Sequence, residues 1–69
     1  MSRAKLLGQN IKKYREKQGL SQERLAELVD LSREYIVRIE TGVKRVSLKK
    51  LFVIADVLKV KCSDLIDFD

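Results

Sequence analysis

Gln22–Glu40, QERLAELVDLSREYIVRIE, reads as two short helices joined by a three-residue turn. Ser21 precedes the first helix and Ser32 the second. Each offers a hydroxyl oxygen to the free N–H groups of a helix start. Two helices that cross closely need a small residue at the crossing, and Ala26 is in place. They also need a turn residue that tolerates positive φ. Asp30, four positions on, is one of the few non-glycine types that visits the left-handed region. Leu25, Ala26 and Leu28 then form the apolar face of the first helix, and Ile36 and Ile39 turn inward from the second. The face left over on the second helix is Arg33, Glu34, Val37 and Arg38, rich in guanidinium and close to the helix start.

Outward from this pair the helical period continues in both directions. Leu7, Ile11 and Tyr14 predict a helix over Arg3–Lys17, with Ser2 as its cap and Gly19 just past its end. The pair itself is expected at about Gln22–Val29 and Arg33–Glu40, the second closed by Thr41-Gly42. A basic loop, Val43-Lys44-Arg45-Val46, leads to Ser47, the cap of a helix over Leu48–Leu58 whose inner face is Leu51, Ile54, Ala55 and Leu58. A last short helix is expected over Cys62–Asp67. No segment alternates like a strand, and every connection is short, so sequential helices must be neighbours in one bundle. The expectation is an all-α fold of five helices forming one domain over residues 1–69. Acidic residues gather in the tail, at Asp64, Asp67 and Asp69, while the middle is basic.

Composition narrows the function. A core in 69 residues supplies only about 3–5 kcal/mol unless something reinforces it. With one cysteine and no histidine, neither a disulfide nor a metal centre is expected to reinforce it. Helix packing or oligomerisation must do so. The absence of histidine, of a metal cluster and of a glycine-rich phosphate loop also argues against an enzyme. So short a chain leaves little room for a pocket, and neither a cofactor nor a small-molecule ligand is expected. No signal-peptide run and no membrane-length apolar run is visible, and a lone cysteine suits the reducing cytoplasm. Cys62 itself reads as a small apolar residue of the last helix, with a redox switch as the other reading. The net charge of +5 and pI near 9.6 are the electrostatic footprint of a nucleic-acid binder.

A helix fits the major groove of duplex DNA, and arginine reads guanine O6 and N7 through a two-pronged fork. The face of Arg33, Glu34, Val37 and Arg38 suits that use. At this point several motifs converge: Ile11…Tyr14-Arg15, Gly19-Leu20-Ser21-Gln22-Glu23-Arg24-Leu25-Ala26, Leu31-Ser32-Arg33…Ile36…Ile39-Glu40…Gly42, and Ser47-Leu48…Leu51. Together they resemble the phage-repressor and Cro-like (xenobiotic-response-element type) helix-turn-helix family over about Leu7–Ile66. The resemblance implies a lambda-repressor-like domain in which the second and third helices are the reading unit. It implies that Gln22 contacts a phosphate and braces the reading helix, and that Arg33, Glu34, Val37 and Arg38 face the bases. It further implies an internal salt bridge between Arg15 and Glu40. Asp30 is a departure, since the family usually has glycine there.

The remaining residues keep two readings each. Tyr35 packs on the core edge or donates to a phosphate, and Ser32 beside it sits at the groove mouth. Glu34 accepts from cytosine N4 or pairs with a neighbouring arginine. Lys44 and Arg45 are loop charges or, lying before a helix N-terminus, phosphate contacts. Lys49 and Lys50 are phosphate contacts or plain solubility charges. Relatives of this kind usually bind palindromic half-sites as homodimers. Val53 and Val57, apolar beyond the core stripe, and Ile66 and Phe68 in the tail are the expected dimer surface, within helices at about 48–67. The reading is a double-stranded-DNA-binding transcriptional regulator. The run from Ser32 to Glu40 with Val46-Ser47-Leu48 is similar to the controller proteins of restriction–modification systems, and also to phage repressors and autoregulators. The alternative class is an antitoxin or protein-interaction module on the same fold.

Overall fold

Serine opens four of the five helices. In the computed structural model, which describes residues 2–68, the hydroxyls of Ser2, Ser21, Ser32 and Ser47 accept from the backbone N–H of Lys5, Arg24, Tyr35 and Lys50. The helices are α1 (Arg3–Lys17), α2 (Gln22–Leu28), α3 (Arg33–Glu40), α4 (Leu48–Leu58) and α5 (Cys62–Leu65). The described residues contain no strand. For α5 the Asp64 carboxylate accepts from the Lys61 N–H instead.

The first four helices also end alike. Leu20, Leu31, Val43 and Val60 each donate their N–H to a carbonyl five residues back, at Arg15, Ala26, Arg38 and Ala55. This six-to-one closure requires a left-handed residue just before, and Gly19, Asp30, Gly42 and Lys59 stand there with φ between 58° and 80°. At Gly42 the requirement is doubled, because a Cβ would also meet the backbone of Lys5 at 2.9 Å. Leu20, Leu31 and Val60 then fold back against the core. Asp30 is exposed and carries a φ of 58°. Replacing it with glycine should relieve about 1–2 kcal/mol of left-handed strain, less the roughly 0.5–1 kcal/mol that the freer unfolded chain takes back. A thermal melt of Asp30→Gly a few degrees above wild type is the expected result.

The core gathers one stripe from every helix: Ile11 from α1, Leu25 and Ala26 from α2, Ile36 and Ile39 from α3, Leu51, Ile54, Ala55 and Leu58 from α4, and Leu65 from α5. α3 packs on both α1 and α2, and α5 on both α1 and α4. Polar side chains tie the ends of elements across this core. Gln18 Nε2 donates to the Leu58 carbonyl at 3.2 Å, and Lys50 Nζ donates to the Val29 carbonyl at 2.8 Å.

Two expectations are corrected. Leu28 is 42% exposed, whereas Val29 is buried at 1%. Val29 is the C-cap of α2, and the turn into Asp30 carries its side chain inward where the helical period pointed to its neighbour. α5 ends at Leu65 and not at Asp67. Asn10 Nδ2 donates to the carbonyls of Leu65 and Asp67 at 2.8 and 3.2 Å, so these oxygens are taken by α1. Asp69, the last acid of the tail, lies outside the described residues.

Candidate nucleic-acid interface

α3 is held from behind by one buried carboxylate. Glu40 ends α3 and is 6% exposed, and Arg15, on α1, is 7% exposed. Arg15 Nε donates to Glu40 Oε2 at 2.7 Å and Nη2 to Oε1 at 3.1 Å, a two-pronged pairing. The third nitrogen of the fork, Nη1, donates to the Leu20 carbonyl at 2.8 Å. Gln22 Nε2, from the first turn of α2, donates to Glu40 Oε1 at 3.0 Å. Three helices and the α1–α2 turn therefore meet at one ion pair. No buried side-chain nitrogen or oxygen is left unpaired among the described residues. A desolvated ion pair is stable only when its remaining valences are met, and here they are.

In front of this cluster α3 presents the expected face. Arg33, Glu34 and Arg38 are exposed and Val37 is half-buried. None of the three charged side chains has a hydrogen bond or ion pair within the described residues. Ser32 caps this helix and leaves its hydroxyl at the mouth of the same face. Gln22 braces α3 through Glu40 with one amide hydrogen, leaving the other and the carbonyl oxygen for an outside partner.

Tyr35 takes a different place from the phosphate contact expected of it. Its ring packs against the core edge and its hydroxyl donates to the Arg45 carbonyl at 3.0 Å. A phosphate oxygen can only accept, so it would have to displace this bond. Tyr35 thus pins the basic loop to α3 and positions Lys44 and Arg45, both exposed, beside it. Lys50 is likewise no free surface charge, because its ammonium closes the last turn of α2. Lys49 is exposed.

The four residues expected at a dimer surface are not brought together as one patch. Val53 and Val57 are half-buried and pack against the core. Ile66 and Phe68 line a cleft with Lys44, Arg45 and the first turn of α1, which Val53 and Val57 do not reach. The exposed apolar residues of α4 are Leu48 and Phe52, one turn apart and 66% and 52% exposed. Leu48 entered the sequence reading only as a motif residue and helix start, and Phe52 not at all, because the strong stripe of Leu51, Ile54, Ala55 and Leu58 absorbed the reading of α4. Gly8 was missed as well. It is buried where α1 crosses α3, and a Cβ there would meet the carbonyl oxygens of Ile39 and Glu40.

Residues 11–65, from the core of α1 to the end of α5, match the helix-turn-helix family model HTH_3. The chain belongs to this Cro/C1-type helix-turn-helix family. Among members of HTH_3 and their relatives, it is 44% identical over 64 residues to the control protein C.BamHI of Bacillus amyloliquefaciens, covering 91% of this chain and 79% of that one. The crystal structure of the restriction–modification controller protein C.AhdI from Aeromonas hydrophila superposes with a TM-score of 0.83 at 36% identity, over 91% of this chain and 94% of that one. The biofilm master regulator SinR, crystallised in complex with DNA, superposes with a TM-score of 0.83 at 34% identity, over 88% and 98% of the two chains. HTH_3 membership fixes the fold as all-α and the broad class as DNA-binding transcriptional regulator. No helix among the described residues is long and apolar enough to cross a membrane.

Proposed function

We propose that the protein is a sequence-specific double-stranded-DNA-binding regulator of the controller type, acting in the cytoplasm and without catalysis. α3 enters the major groove, where Arg33 and Arg38 read bases and Glu34 and Val37 complete the face. Gln22, Ser32, Lys44 and Arg45 grip phosphates on either side. The observation that carries this reading is a contrast within α3. Its inner residues are locked by a buried ion pair, while the exposed side chains of Arg33, Glu34 and Arg38 on its outer face have no hydrogen bond within the described residues. The helix that carries them is fixed before binding, so only the side chains themselves must be ordered, and the planar guanidinium fork keeps that cost low per hydrogen bond formed. The likeness to C.BamHI, C.AhdI and the DNA-bound SinR supports the same reading.

A single module of this size makes a small interface with DNA. We place a homodimer contact on α4, with Leu48 and Phe52 at its centre and Val53 and Val57 at its edge, so that two copies read a palindromic operator about one helical turn between half-site centres. Sedimentation at high micromolar concentration should show the dimer, and a strictly monomeric mass would remove this part of the reading.

Selection from a random duplex pool, at about 150 mM salt to suppress non-specific phosphate binding, tests the whole. The expected product is an inverted repeat with guanine in each half-site. Arg38→Ala should then weaken the selected site roughly tenfold and relax one position in each half-site, as expected when one bidentate base contact is lost. Lys44→Ala should weaken all sequences alike and lower the salt slope by about one. If no sequence is enriched while a protein partner co-purifies from cells, the fold serves a protein-interaction role instead.

A further inference from the structure

A cleft of about 570 Å³ opens between the first turn of α1, the loop after α3 and the chain beyond α5. Its floor is apolar, made by Ala4, Leu7, Ile39, Val46, Ile66 and Phe68. Arg3, Lys44 and Arg45 stand at its rim, all exposed, and no acidic residue lines it among the described residues. Ser2, Arg3 and Ala4, at the start of α1, also border the opening, and the first turn of this helix holds no acid to offset its positive end. The walls are fixed by contacts already described. Gly42 lies against the backbone of Lys5, Tyr35 holds the Arg45 carbonyl, and Asn10 holds the carbonyls of Leu65 and Asp67. The site is thus formed before a ligand arrives, and its volume is within the range usual for small-molecule sites.

We infer that this cleft binds a small anionic amphiphile, with a carboxylate or similar head among Arg3, Lys44 and Arg45 and an alkyl or aryl body on the apolar floor. Each half of that chemistry excludes a competitor. A DNA phosphate satisfies the three cations but leaves the floor of leucine, isoleucine, valine and phenylalanine uncovered. A second copy docked symmetrically covers the floor but brings an identical set of cations against the first, which repels. The expectation of no small-molecule ligand rested on the chain being too short for a pocket, and a cleft of this size removes that ground. Because Lys44 and Arg45 also belong to the proposed phosphate grip, ligand and DNA should oppose each other, each weakening the other by the same factor. That coupling rests on the DNA-binding reading, while the binding itself does not.

The test is an amide-resolved NMR titration of the full chain with decanoate, kept below its micelle concentration, in the absence of DNA. The expected result is one saturable set of shifts around Ala4, Leu7, Val46 and Ile66. Decanol, which lacks the charge, should bind at least about tenfold more weakly, and so should decanoate to Arg45→Gln, since a charge-assisted hydrogen bond is lost in each case. Ile66→Asp, at a position exposed enough to leave the fold intact, should abolish binding by placing a carboxylate on the floor. Equal affinity for decanoate and decanol overturns the proposal, as do shifts that never saturate. Shifts that follow protein concentration and not decanoate overturn it too, since a second copy then covers the cleft. In a parallel binding assay decanoate should lower affinity for the selected duplex severalfold. Saturable decanoate binding with unchanged DNA affinity would remove the coupling alone, and saturable decanoate binding by a chain that selects no duplex would remove the DNA reading alone.

Discussion

Glu40→Ala is expected to lose about 3–5 kcal/mol, enough to leave the domain largely unfolded at 37 °C. The loss does not come from the attraction itself, which desolvation nearly cancels. It comes from what is left behind, because Arg15 would remain 7% exposed with its charge unpaired, and Gln22 would lose its acceptor. At about 4–8 °C per kcal/mol for a domain of this size, the thermal midpoint should fall by at least about 12 °C. A companion variant separates mechanism from mere sensitivity. Arg15→Met with Glu40→Leu removes both charges, so the pair should recover much of the stability that either loss alone destroys. Gln22→Ala removes one neutral donor and should cost about 1 kcal/mol. Near-normal melting of Glu40→Ala would show that the ion pair does not hold the helices together.

Gly8→Ala carries the second large effect, and its cause is steric. A Cβ at position 8 would sit 2.5 Å from the Glu40 carbonyl oxygen and 2.7 Å from its carbon, with the Ile39 oxygen closer still. These are backbone atoms of α3, so no rotamer change can relieve the overlap. α1 must move off α3, opening the core at Ile11 and Ile39 and stretching the Arg15–Glu40 pair. Alanine gains about 1 kcal/mol of helix propensity over glycine, and overpacking costs up to about 3 kcal/mol or occasionally more. A net loss of roughly 2 kcal/mol or more is expected by urea denaturation, with Gly8→Val worse. Gly19 is the useful contrast. It has open space around it and a φ of 70°, so Gly19→Ala strains only the local backbone, at about 1 kcal/mol. Stability unchanged in Gly8→Ala would mean that the two helices do not approach as described.

What the sequence revealed follows from how local each signal is. Four serines stand directly before apolar periods, and a cap is a contact over three residues, so helix starts were legible to the residue. Asp30 was legible because few residue types tolerate its φ. Helix ends were less legible than starts. The end of α4 at Leu58 was read from its apolar period, although Lys59 with a φ of 61° closes it without a turn-type residue. α5 ends two residues earlier than expected, and the Leu65 carbonyl is held by Asn10, 55 positions away. Long-range partners stayed hidden for the same reason. Tyr35 finds the Arg45 carbonyl, Lys50 finds Val29, and Gly8 finds α3, and none of these pairings leaves a trace in hydrophobic period. The Arg15–Glu40 pair, 25 positions apart, came from the family resemblance and not from the residues' own spacing.

The outer face of α3 has one further consequence. The side chains of Arg33, Glu34 and Arg38 contribute no hydrogen bond or ion pair to the rest of the described chain, while Ile36, Ile39 and Glu40 on the inner face supply its buried contacts. On the proposed reading, folding and recognition are therefore written on separate letters of the same eight-residue word. Mutations can rewrite one message without garbling the other, so a lineage carrying this scaffold can drift to new targets through single substitutions that selection for stability never sees. Duplicated copies in one genome could diverge in the same way and cease to interfere with each other.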